Sequence, residues 1–177
     1  MVKSFINRIK TKKEGFTLIE VIAAIFVITT GVVGALIAIQ QTMARTQAST
    51  DRLIAHYLAQ EGIEIIRNIR DGNWLENRNV TTSWKEGLTA CSAGCEIDYN
   101  NFNNPGAEDP SLQSYNGGQF LRIDPTSGFY NYTSGDETKF KRKITITEDL
   151  DKLKVSVTVY WDSHEITVEE YLYNWRK

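Results

Sequence analysis

The sequence predicts an α+β protein in which one long N-terminal helix, about residues 16–71, packs its second half on a C-terminal antiparallel sheet. Three observations carry this expectation. The apolar residues are concentrated at one end, where FTLIEVIAAIFVITTGVVGALIAI runs from Phe16 to Ile39 with a single charge, Glu20. Helical spacing of apolar residues continues from there to the first strong breaker, Asp71-Gly72-Asn73. Beyond Thr138 the apolar period changes from helical to two. At 177 residues the chain has room for one medium globular unit besides the apolar run.

Residues 1–15 form a basic leader, with Lys3, Arg8, Lys10, Lys12 and Lys13 against Glu14. As a helix, the following run (residues 16–39) is roughly 36 Å long, enough to span a bilayer. The positive flank keeps its start cytoplasmic and sends residues 40–177 outside. Three readings compete for such a start. A cleaved secretory signal has an apolar core of about 7–15 residues, shorter than this run. A plain signal anchor explains length and flank but gives no reason for Glu20, since an ionisable group in a spanning helix costs about 2.5–3.5 kcal/mol at its centre. A leader cut before the apolar run accounts for both.

Gly15-Phe16-Thr17-Leu18-Ile19-Glu20, after a short basic leader and before an apolar helix, resembles the type III signal of type IV pilins and pseudopilins. The resemblance implies the type IV pilin-like form of the α+β fold, cleavage by a prepilin peptidase between Gly15 and Phe16, and methylation of the new amine on Phe16. It places the family's assembly glutamate at Glu20. The expected partners are that peptidase, other pilin or pseudopilin subunits through the N-terminal helix, an inner-membrane assembly platform, and membrane lipid before assembly. The expected location is the cytoplasmic (inner) membrane with the N-terminus inside, then an extracytoplasmic filament. Elementary chemistry agrees: cutting before Phe16 leaves a cation at the edge of an apolar helix, and Glu20, one turn on, can supply the anion to its own or a neighbour's amine. Ile37 stands where members of the family commonly carry proline, which points to a minor or initiating subunit.

Residues 40–71 read as the amphipathic continuation of the helix. Most of Ile54, Tyr57, Leu58, Glu61, Ile65, Ile66 and Ile69 form an apolar stripe facing a partner, Arg67 and Asp71 lie one turn apart, and Gly72 suits the left-handed cap. Residues 72–138 are a loop-rich connector with short strands at 95–99, 119–124 and 128–132. In a compartment that permits oxidation, the CSAGC spacing of Cys91 and Cys95 closes a small disulfide ring, the alternative being two buried thiols. Asp98, Asn100, Asn103, Asn104, Glu108 and Asp109 are oxygen donors of the kind Ca²⁺ takes, but their spacing fits solvated turns better. Residues 139–177 read as a meander of strands at 139–148, 152–162 and 165–175. Phe140, Ile144 and Ile146, and Leu153, Val155, Val157, Val159 and Trp161, point inward, with Tyr171, Tyr173 and Trp175 as rim aromatics.

Composition narrows function further. Two cysteines and two histidines, His56 and His164, leave no metal-ligand spacing, and no nucleophile elbow or phosphate loop is present, so neither an enzyme nor a resident cofactor is expected. Lys139-Phe140-Lys141-Arg142-Lys143 is the one basic run outside the leader. Removing residues 1–15, with five basic and one acidic residue, takes the formal net charge from -2 to -6, which argues against nucleic acid. The leading function is therefore a structural filament subunit, a minor pilin or pseudopilin of a type IV pilus or type II secretion-like machine. The alternative is a membrane-anchored extracytoplasmic binding module or adhesin that uses the leader only for display.

Overall fold

A computed structural model describes residues 15–76, 83–102, 112–149 and 151–174. It divides into two compact units, Met1–Gln47 and Ala48–Lys177. Helix α1, Leu18–Glu76, starts in the first and ends in the second. Within the first unit, Gly15, Phe16 and Thr17 precede the helix and every residue from Gly15 onward is exposed. Gly31 and Gly34 stay helical despite a cost of about 1 kcal/mol each relative to alanine.

The second unit is one layer of helix on one layer of sheet. Its elements after α1 are a 3₁₀ turn at Thr89–Cys91, β1 (Cys95–Glu96), α2 (Tyr99–Phe102), β2 (Gln113–Ser114), β3 (Phe120–Ile123), β4 (Tyr130–Asn131), β5 (Asp136–Asp149), β6 (Lys152–Trp161) and β7 (His164–Tyr173). The last three form the expected antiparallel meander, with Asp149 opposite Lys152 and Trp161 opposite His164. The second turn is therefore Asp162-Ser163, with Asp162 at φ 48°, and not Ser163-His164. The free side of β5 is used as well: β3 pairs with it near Lys141 and Asp136, and β1 at Ile144, so the connector contributes strands to the same sheet.

The inward face follows the period of two. Phe140, Ile144 and Ile146 on β5 and Leu153, Val155, Val157, Val159 and Trp161 on β6 are buried. Against them α1 sets Ala55, Leu58, Ala59, Ile63, Ile65, Ile66 and Ile69. Tyr57 is exposed and Glu61 half-buried, so the stripe lies slightly around the helix from the one expected. Small residues decide this. A Cβ on Gly62 would meet Val157 Cγ1 at 3.0 Å and Arg142 Cδ at 3.2 Å, so the sheet packs closest where α1 is thinnest.

Other expectations need correction. The helix does not stop at Gly72 but runs on to Glu76. Trp74 is buried against Trp84 (ring centroids 6.1 Å) under the Arg70 guanidinium, and Asn73 Nδ2 donates to the carbonyls of Trp84 and Glu86. Those tertiary contacts outweigh the roughly 1 kcal/mol that glycine costs a helix. Arg67 pairs with Glu64 and, at 2.5 Å, with Glu170 on β7, while Asp71 is taken by Arg70. The strand expected at 95–99 ends at Glu96. Asp98 is fully buried, with Oδ1 accepting from Asn100 N (3.1 Å) and Oδ2 from Tyr132 N (2.7 Å), and the first of these bonds turns the chain into α2. Strands β3 and β4 are shorter than expected because turns close around them. At Gly135 (φ +99°) a Cβ would lie 2.2 Å from the Ile123 carbonyl oxygen, so only glycine fits.

Arg142 is the largest departure. It shares the parity of Phe140 and Ile144 and is fully buried. One guanidinium nitrogen donates to Leu58 O on α1 (3.0 Å), another to Ile97 O in the connector (2.7 Å), and Glu61 Oε2 lies 3.4 Å away. Burial raises the Glu61 carboxyl above its usual value, with Arg142 pulling the other way. Tyr132 closes the cluster: its hydroxyl reaches the Arg142 carbonyl at 3.5 Å, and burial pushes its phenol up to about 12.

Arg142→Ala should cost about 3–5 kcal/mol, measured by thermal or denaturant unfolding, because it strips two buried carbonyls and Glu61 of their common partner. A loss below 1 kcal/mol, the size of an exposed pair, would show that the arginine ties nothing together.

The Tyr132 phenol stays neutral in the folded chain past the pH, about 10, at which it ionises when unfolded. Its contribution, roughly 2–3 kcal/mol, is therefore complete at neutral pH and lost as pH rises from about 10 towards about 12. In Tyr132→Phe that alkaline decline should shrink, and tyrosinate absorbance of the wild type should show one late-titrating phenol. An unchanged alkaline profile in the variant would refute the assignment.

Candidate functional site

The polar groups of the apolar run are few, and the backbone deals with most of them. Thr17 caps α1: its carbonyl accepts from Glu20 N (3.1 Å) and Val21 N (3.2 Å), and its Oγ1 lies 3.4 Å from Glu20 N. The hydroxyls of Thr29 and Thr30 both donate to Phe26 O, at 3.0 and 2.7 Å. Threonines satisfied by their own helix can sit in lipid at little cost. Glu20 differs. Its amide is used by the cap, but its carboxylate has no partner among the described residues, in a stretch flanked by exposed Leu18, Ile19, Val21 and Ile22.

Gly15 and Phe16 lie in non-helical, exposed chain immediately before the cap, and Phe16 is 81% exposed. Gly15 has open space where a Cβ would go, so nothing among the described residues demands glycine there. Gly15, Phe16 and Glu20 thus fall within one short segment: two exposed residues of non-helical chain, then one helical turn, then a carboxylate with no partner among the described residues. Of the leader, residues 1–14 lie outside the described residues.

The remaining candidates are structural. Cys91 and Cys95 are disulfide-bonded, with Cα atoms 5.2 Å apart, and both are buried in the core of the second unit. So short a ring restricts the unfolded chain by only about 2 kcal/mol; its place is at the junction of the 3₁₀ turn and β1. His56 is exposed on α1, and His164 stacks on Trp161 at 5.6 Å. Of the oxygen donors weighed for Ca²⁺, Asp98 is spent on two amides, and Asn103, Asn104, Glu108 and Asp109 lie outside the described residues, as does Trp175.

The basic run is dispersed by its fold. Lys139 pairs with Asp51 (2.6 Å) and Asp162 (3.3 Å), Arg142 is internal, and Lys141 and Lys143 lie over the rings of Phe120 and Tyr115. Lys139, Lys141 and Lys143 share one parity of the strand, and Arg142 falls on the other, buried face. The signal for that burial was available in its parity with Phe140 and Ile144.

The family model described as the prokaryotic N-terminal methylation motif matches residues 10–36. No curated protein and no solved structure gives a significant match. The motif is the prepilin signal of type IV pilins and pseudopilins, and the long helix with its curled antiparallel sheet matches the pilin fold. It implies processing by a prepilin peptidase and assembly with other pilins, and its family is structural and not catalytic. The apolar first half of α1 is long and apolar enough to cross a membrane, in keeping with anchoring.

Proposed function

We propose that the chain is a structural subunit of a type IV pilus or type II secretion-like filament, cut between Gly15 and Phe16, N-methylated on Phe16, and assembled through its N-terminal helix. The observation that carries this reading is the solitary carboxylate. Among the polar side chains of residues 16–39, Thr17, Thr29 and Thr30 are satisfied within the helix and Glu20 is not. A helix built only to anchor gains nothing from such a group, whereas a helix that must dock beside another gains a charge with which to set register. Cleavage supplies the counter-charge, a secondary ammonium on Phe16. The glycine at position 15, idle in the fold, is then selected by the peptidase. Before assembly the subunit sits in the cytoplasmic membrane with its start inside and its sheet outside, in contact with lipid and the assembly platform. The absence of proline at Ile37 favours a minor or initiating subunit.

Processing is read directly by intact mass and N-terminal sequencing of membrane-extracted protein. In cells with an active prepilin peptidase the chain should begin at N-methylated Phe16, and Gly15→Val should block cleavage without altering thermal unfolding of the second unit. A wild-type chain retaining Met1 beside an active peptidase would overturn the proposal.

Glu20→Leu should leave synthesis, membrane insertion and cleavage near normal while abolishing incorporation. Leucine is favoured in a spanning helix by a few tenths of a kcal/mol and the glutamate penalty disappears, so anchoring improves. In the filament, however, a buried ammonium loses its counter-charge, at about 3–5 kcal/mol, a factor of about 10² to 10³ or more. Glu20→Asp should be intermediate. Membrane fractionation and pull-down with the major subunit separate the two steps. Wild-type co-assembly of Glu20→Leu would favour the anchored binding module instead.

A further inference from the structure

Asn116-Gly117 is the one asparagine–glycine pair in the sequence. It lies in a bend between β2 and β3, Asn116 is exposed, and Gly117 and Gly118 have φ of +83° and +78°. No atom lies within 4 Å of where a Gly117 Cβ would be, and Gly117 N donates to no backbone carbonyl among the described residues. We infer that Asn116 is a site of spontaneous backbone-assisted deamidation in the folded protein, one that writes a new negative charge onto the outer face of the sheet.

The chemistry needs only water. Gly117 N attacks Asn116 Cγ, the N–Cγ bond forms, the Cγ–Nδ2 bond breaks, and ammonia leaves with the proton shed by Gly117 N. The five-membered succinimide then opens by adding water at either carbonyl, giving aspartate or isoaspartate. Attack is least hindered where the following residue has no Cβ and its amide is free of backbone hydrogen bonds, and both conditions hold here. Every other asparagine is followed by a residue bearing a side chain. Asn131 is fully buried, with Oδ1 accepting from Thr133 N and Ser134 N. The analogous Asp71-Gly72 pair is held inside α1, where the Asp71 carboxylate is bound by Arg70.

The surroundings make the change consequential. Lys141 Nζ donates to Gly117 O at 3.3 Å, and the ring of the preceding Tyr115 covers Lys143 and packs 6.5 Å from Tyr160. An aspartate at 116 adds a carboxylate beside these two lysines. An isoaspartate also lengthens the main chain by one methylene between Tyr115 and Gly118, where a Gly118 Cβ would already meet the Tyr115 hydroxyl at 2.7 Å. The pair therefore acts as a slow, irreversible mark of the age of this face.

Purified full-length protein in detergent, incubated natively at mildly acidic and mildly alkaline pH and mapped by peptide mass spectrometry with isoaspartyl methyltransferase labelling, tests this. Asn116 should convert ahead of every other asparagine, faster at the alkaline pH, with both acidic products present. Asn116→Gln should lose the signal while its unfolding temperature stays at the wild-type value, and Asn116→Asp should reproduce the single charge shift on ion exchange. Conversion that begins only in denaturant, or that is no faster at Asn116 than at Asn73 or Asn100, would overturn the inference.

Discussion

A charge removed from water must find another charge or a set of dipoles, and the second unit is arranged around one such charge. Arg142 enters the core from the middle of β5, and the groups that receive it come from everywhere else: Leu58 and Glu61 from α1, Ile97 from the connector. Because the guanidinium is rigid and donates from two nitrogens, it ties α1, which has no place in the sheet's ladder, to β5 and to the connector beyond β1. Gly62 follows from it, since a side chain there would press on both Arg142 and Val157. So does the placement of Asp98 and Tyr132 beside it. Apolar burial supplies most of the driving force, but an apolar face alone would let the helix slide, and the arginine sets where it stops.

Ion pairs along the helix repeat the theme at lower cost. Asp51 with Lys139 and Arg67 with Glu170 join α1 to β5 and β7, and Lys85 with Glu148 joins the connector to β5. These pairs lie at the protein surface, with Asp51 the one buried member, and surface pairs are individually worth about 0–1 kcal/mol. Their effect lies in specificity: the two that start from α1 are satisfied at one register of helix on sheet and unsatisfied a turn away.

Which parts of this were legible in the sequence follows from the range of the interactions involved. Period two at Leu153, Val155, Val157, Val159 and Trp161 names the buried face of β6 with no outside information, because alternation is a property of the strand itself. The prepilin signal is likewise local, six residues whose chemistry is complete within two turns. The helix end at Glu76 is hidden from the sequence because Gly72 speaks locally for a stop, whereas Trp74 answers to Trp84 across residues the local pattern does not contain. Arg142 is hidden for a related reason: a basic residue among lysines reads as solvated until its partners, 84 and 45 positions away, are in view. Short strands β1, β2 and β4 have two residues each and no period to detect.

The same constraint that settles Arg142 leaves Glu20 open, and the contrast orders the events of the proposed life of the subunit. In the uncut precursor the nitrogen of Phe16 is a neutral amide, so the carboxylate at position 20 has no cation within its own apolar run. Cutting the Gly15–Phe16 bond creates one, and methylation keeps it a base strong enough to stay charged. The electrostatic gain of pairing therefore comes into being only with cleavage, and a precursor carrying its basic leader would bring five more cations into the same place. Processing on this view does more than trim the chain. It exchanges a leader that holds the start at the cytoplasmic face for a single charge of matching size, and so makes assembly conditional on the cut.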